Sequence, residues 1–366
     1  MGSLIIMILI PLIFIPIVNK EMFLPFDYPA HITFAKNIFE NRVINIPHFL
    51  YQFSIIVAHL IFKSDWEKSG VIAVLFFYII LGLIIFKVFS SEIKTTSIKT
   101  TLLLVFLTLG SILITPITLI AFLDHKQYLG YIGINVYHNP TIILLKPFSL
   151  LLYLFTIKYF LENKTVTKKE LPIIIMITIL CIIAKPSYII CYLPVLGLWT
   201  LYKYLHKEKI NWIFILSVLI TSILILMWQY YITYSTQSSS GIVFAPFVVL
   251  SHYSSYIFIK FLLSITFPIV VYAVYFKDTS RNLSLNFSWS VFFFGILYTY
   301  LLAESGVRFF HGNFTWSGQI ALFLLFISSI VFLLKQKIDN KFKFSITVLS
   351  LHLISGIVFY YYIIIS

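Results

Sequence analysis

Apolar runs recur from one end of this chain to the other, separated by short polar breaks. They fall at 3–18, 49–62, 71–89, 101–123, 140–160, 171–184, 187–204, 211–232, 255–276, 289–303, 318–334 and 345–365. A membrane-crossing helix needs about 20 apolar residues. The runs are continuous rather than alternating, which predicts helices and argues against a β-barrel. No polar stretch is long enough for a separate soluble domain. The pattern therefore predicts an all-α polytopic membrane protein, with residues 1–366 forming one integral membrane domain.

The run at 49–62 departs from the others. It is short, carries His59, follows Pro47-His48 and ends in Lys63-Ser64-Asp65-Trp66-Glu67-Lys68. We expect a surface-lying or re-entrant helix there, which leaves eleven spans. The preceding stretch His31–Phe39 has apolar residues at helical spacing with polar ones between, as in an interfacial amphipathic helix. Residues 19–70 then form a long first loop with juxtamembrane helices.

Composition agrees: 60% of residues are hydrophobic and 11% charged, against about 25% charged in soluble domains. The net charge of +13 would suit nucleic acid, but its distribution is topological. With the N-terminus inside, 16 of the 26 Lys and Arg fall in inner loops: Lys87, Lys94, Lys99, Lys158, Lys164, Lys168, Lys169, Lys203, Lys207, Lys209, Lys277, Arg281, Lys335, Lys337, Lys341 and Lys343. The positive-inside bias thus favours eleven spans, a cytoplasmic N-terminus and an outer C-terminus, with no nucleic-acid partner. The expected location is a bacterial plasma membrane. Leu4–Val18 lacks a basic leader and a clear cleavage site, and reads as a retained helix. Cys181 and Cys191 lie in apolar stretches and read as core residues.

The outer loops hold a different chemistry. Seven of the nine His fall there. The first segment contains Pro25-Phe26-Asp27-Tyr28-Pro29-Ala30-His31, where Asp27 reads either as an N-cap of the amphipathic helix or as a catalytic acid. The second is Tyr137-His138-Asn139-Pro140-Thr141. Pro140 suits a first helical turn and Asn139 a cap, while Lys146 lies two turns into a span and needs a partner, a wet cavity or a path to the surface. The third is Ala184-Lys185-Pro186-Ser187, where Lys185 is an interfacial anchor or a cation facing a site. The fourth runs from Glu304 through Arg308, His311 and Asn313 to Trp316. Glu304 and Arg308 are four residues apart, as in a helical ion pair. Arg308 also has the planar fork that binds phosphate, and Trp316 a face suited to a sugar or to the interfacial belt.

Phe26-Asp27-Tyr28-Pro29-Ala30-His31 after the first span, followed by Ile46-Pro47-His48-Phe49-Leu50-Tyr51, resembles the GT-C superfamily of polytopic membrane glycosyltransferases. That resemblance implies a catalytic acid in the first outer loop and a polyprenyl-phosphate-linked sugar donor held in the membrane. The acceptor is a glycan, lipid or protein, and a divalent metal is left open. Asp27 then takes the place of the general base, with His31 beside it. Tyr28, His138, Asn139, Lys146, Lys185, Glu304, Arg308, His311, Asn313 and Trp316 are the candidates for substrate and phosphate binding. No metal-binding spacing is visible. The competing readings are a non-catalytic glycan-assembly or lipid-linked glycan transport protein, and an acyltransferase or polymerase working through His138, Arg308 and His311.

Overall fold

A computed structural model describes residues 1–44, 46–93, 97–234 and 241–365, so Lys94 lies outside the described residues. Helices dominate. They run as α1 (Gly2–Phe23), α2 (Asp27–Asn41), α3 (Leu50–Phe62), α4 (Trp66–Glu92), α5 (Ile98–Leu113), α6 (Ala121–Asp124) and α7 (Pro140–Phe155), the last extended by a π-helical turn, Thr156–Leu161. Next come α8 (Glu170–Ala184), α9 (Ser187–Leu205), α10 (Trp212–Tyr234), strand β1 (Ile242–Phe244), α11 (Val248–Tyr253), α12 (Ile257–Val274), α13 (Phe276–Thr279) and α14 (Leu283–Leu301). Strand β2 (Leu302–Glu304), a 3-10 turn (Gly306–His311), α15 (Thr315–Leu334) and α16 (Asn340–Ile365) complete the chain.

Among the described residues, eight helical segments are long and apolar enough to cross a membrane. This establishes a polytopic all-α architecture. The helix α3 is not among them: 13 residues at 1.5 Å each give about 20 Å, short of a 30 Å hydrocarbon core. Three helices counted as spans from the sequence are also missing from the eight: α5 and α8 are short, at 16 and 15 residues, and α14, at 19 residues, is not apolar enough, with Ser284, Asn286, Ser288 and Ser290 along it.

The run at 101–123 is not one helix. It ends at Leu113, and Thr115-Pro116 explains why: proline lacks an N–H and pushes the residue before it out of the helical region. The chain then passes irregularly to Asn139, yet Ile132, Ile134, Val136 and Tyr137 along it are buried. Its backbone is satisfied in part by side chains, one from within the segment and one from α16. Asn135 donates to the carbonyls of Ser111 and Ile114, and Ser355 donates to that of Pro116. Lys260 reaches Asp124 at 2.5 Å and clamps the segment onto α12.

The core is centred on α7 and α15, whose apolar residues are buried almost all round. The helices α14 and α15 cross so closely that a Cβ on Gly295 would lie 2.7 Å from the Ser317 carbonyl oxygen. This fixes the start of α15 against the end of α14, beside the site described next. Cys181 and Cys191 are buried and unpaired, as read from the sequence.

Candidate functional cavity

One cavity of about 590 Å³ gathers most of the polar breaks. Asp27 follows α1, Asn139 precedes α7, and Lys185, Pro186 and Ser187 lie between α8 and α9. Tyr230 and Tyr234 end α10, Glu304 follows α14, and Trp316 opens α15. Segments far apart in sequence therefore meet at one end of the helices. Of the twelve candidates, ten line this cavity: Asp27, His31, His138, Asn139, Lys185, Glu304, Arg308, His311, Asn313 and Trp316.

Two do not. The Tyr28 ring is fully buried against Tyr51, and its hydroxyl has no hydrogen-bond partner among the described residues. Helical geometry turns it away from its neighbour Asp27 and into the core. Lys146 is buried in α7, donates to Asn135 and lies 5.0 Å from the centre of the Phe323 ring. Its partner is an amide in the irregular segment, so neither snorkelling nor the cavity accounts for it.

Asp27 is also placed differently from a cap. It is the first residue of α2, with Phe26 at the cap position and no side-chain capping bond. Its carboxylate instead accepts from Asn139 Nδ2, across 112 residues of sequence. Asn139 does cap α7, accepting from Ile142 N at 3.1 Å, with Pro140 in the first turn. The same Asn139 oxygen accepts from Thr141 Oγ1 at 2.7 Å, and Thr141 accepts from Lys185 Nζ at 3.0 Å. A continuous chain of hydrogen bonds thus joins the Asp27 carboxylate to the Lys185 ammonium. Lys185 also sits 4.7 Å from the centre of the Trp316 ring. That face of the indole is covered by a cation and is not open to stack on a sugar.

The far wall centres on Glu304, which accepts from Tyr234 at 2.9 Å and from Asn313 at 2.6 Å. The Glu304–Arg308 pair expected from spacing forms, but not on an α-helix. Glu304 belongs to β2, which pairs with β1, and Arg308 to the 3-10 turn. Their closest approach is 3.9 Å, so the Arg308 guanidinium, about one-third exposed, is only loosely held.

Burial sets the protonation of the imidazoles. It pushes His31 down to about 4, against a smaller upward pull from Asp27, and lowers His138 for the same reason. The His31 ring is held by Gln52 at 2.5 Å, and the His138 ring packs on Tyr128, Trp316 and Phe26. Lys185 is lowered to about 8, mainly by burial, with Asp27 and Glu304 opposing.

The structure adds wall residues that the outer-loop reading did not select. His48 lines the cavity, and its loop is pinned because the Pro47 carbonyl accepts from Gln229 at 2.6 Å. Gln229 itself is the signal that was available: an amide in an otherwise apolar span needs partners. Glu21, in the last turn of α1, is buried with one carboxylate oxygen lacking a partner among the described residues, and it lies within electrostatic reach of Asp27. Among the described residues, no three His, Cys, Asp or Glu side chains converge to hold a metal ion.

Fold and cavity together define a polytopic all-α membrane protein with a mixed-charge cavity at one end of its helices. Comparison with protein-family models, curated proteins and solved structures finds no match.

Proposed function

We propose that this chain is a membrane glycosyltransferase of GT-C type. It would move a sugar from a polyprenyl-phosphate donor to a glycan, lipid or protein acceptor on the outer face. The observation that carries this reading is the convergence of Asp27, Lys185 and Arg308 on one cavity. Asp27 accepts the proton of the acceptor hydroxyl. The acceptor oxygen bonds the sugar carbon, and the bond from that carbon to the phosphate oxygen breaks with its electron pair left on phosphate. Lys185 and Arg308 hold the phosphate as its charge grows. Asn139 orients Asp27 and ties it to Lys185 through Thr141.

A non-catalytic transporter of lipid-linked glycan fits less well, because it has no use for a base tethered to a cation at one end of the cavity. The test is Asp27→Asn in membranes supplied with a lipid-linked sugar donor. Loss of a general base predicts transfer slower by about 10²–10⁴-fold at unchanged expression and melting temperature. Full activity in that variant would remove Asp27 from the role and favour the transporter.

A further inference from the structure

His48 is a half-buried imidazole of this cavity to which the proposed transfer gives no role. It lines the same cavity as Lys185 and Arg308, on a loop held in place by Gln229. No hydrogen bond ties its ring to another described residue. Of the other cavity imidazoles, buried His31 is committed to Gln52, half-buried His138 makes edge-on contacts with Tyr128 and Phe26 and a tilted one with Trp316, and His311 is exposed. His31 and His138 also feel the Asp27 carboxylate. His48 feels cations instead. The charged and titratable groups acting on it are Lys185 from the α8–α9 break, His31 from α2 and Arg308 from the 3-10 turn, with no carboxylate among them. The adjoining end of α10 presents Leu226, Gln229, Tyr230, Thr233 and Tyr234 to the cavity, with no carboxylate or cation among them.

We propose that His48 is a third phosphate contact, and that it takes up a proton when a phosphomonoester settles between Lys185 and Arg308. Burial and the two cations hold its imidazole well below the usual range in the open cavity, so it is neutral there. A dianion reverses the local potential and supplies an acceptor for an N–H. In the proposed transfer, the donor diester carries one negative charge and the departing monoester two. His48 therefore answers the charge that appears as the sugar leaves, drawing its proton from solvent. The inference rests on the phosphate-binding reading of the cavity, and the experiment separates the two.

The full chain in detergent micelles is titrated with farnesyl phosphate at pH 7.0, by calorimetry in two buffers of different ionisation enthalpy. At that pH, Lys185 at about 8 takes up about 0.1 proton on becoming fully charged. A phosphomonoester whose second pKa is about 6 releases about 0.1, so the two cancel. The expected result is uptake of at least about half a proton per ligand by the wild type, falling below about 0.2 in His48→Gln. Binding to the wild type with uptake below about 0.2 overturns the inference without reference to any variant. Uptake kept in His48→Gln and lost in His138→Gln does the same and reassigns the proton. If farnesyl phosphate does not bind the wild type at all, the phosphate-binding reading falls with it.

Discussion

Lys185 offers a test that needs no substrate. The ammonium is 7% exposed, and its folded value of about 8 lies below the ordinary 10.5 because burial disfavours the charge. Below pH 8, folded and unfolded chains both carry the proton, and the folded state bears the cost of burying it. Between pH 8 and 10.5 the folded chain loses its proton first while the unfolded chain keeps it, so stability rises with pH. From pH 8 to 9.5 the gain integrates to about 1.5 kcal/mol, at 1.36 kcal/mol per unit. Melting curves of wild type and Lys185→Met in the same detergent isolate this contribution, because the remaining lysines and tyrosines cancel in the difference. Thr141→Val sharpens the test. It removes the acceptor 3.0 Å from Nζ, a charge-assisted bond of about 1.5–3 kcal/mol, and moves the rise one to two pH units lower. Wild-type and Lys185→Met curves that run parallel from pH 8 to 9.5 would refute the picture of a buried, singly hydrogen-bonded ammonium.

Two further outcomes concern what holds the cavity in place. Lys260→Met leaves Asp124 with only Ser254 Oγ and the Lys126 amide, and should cost about 3 kcal/mol of stability; a melting temperature within a degree of wild type would show the clamp to be idle. Gly295→Ala drives a methyl to 2.7 Å from the Ser317 carbonyl and should cost about 1–3 kcal/mol through overpacking. It should also weaken farnesyl phosphate binding, because Trp316 adjoins the displaced turn, and unchanged melting and binding together would count against a tight α14–α15 crossing.

The hydrophobic pattern carried most of the fold, because a span is written locally as a run of apolar residues. It failed where local composition and backbone chemistry disagree. Residues 114–123 are apolar enough for helix, but Pro116 ends α5 and long-range hydrogen bonds from Asn135 and Ser355 stabilise the irregular path. The i, i+4 spacing of Glu304 and Arg308 suggested a helix, whereas pairing of β2 with β1 holds Glu304 extended. Three-residue strands leave no periodicity to detect. The candidate site was largely legible, since a polar residue in so apolar a chain stands out by type alone. What could not be read is which polar groups bond across the helices. Thr141 as the link between Asn139 and Lys185, and Gln229 as the pin on the His48 loop, exist only in three dimensions. Tyr28 shows the reverse error, in which proximity in sequence to a site residue does not survive the 100° rotation per residue of a helix, while Lys146, seven residues from Asn139, keeps its face but lies about 10 Å further along α7.

The Asp, Glu, Lys and Arg residues named on the cavity wall, Asp27, Glu304, Lys185 and Arg308, sum to no formal charge. Such a wall projects little long-range field, and electrostatic steering needs one sign of charge to dominate. An anionic headgroup is thus not drawn in from bulk solution ahead of other solutes. Its rate of arrival is set by diffusion to the cavity mouth and should respond weakly to ionic strength, while the separated charges act only once it is within a few ångströms. The cavity selects by fit at close range and leaves recruitment to whatever concentrates the ligand nearby.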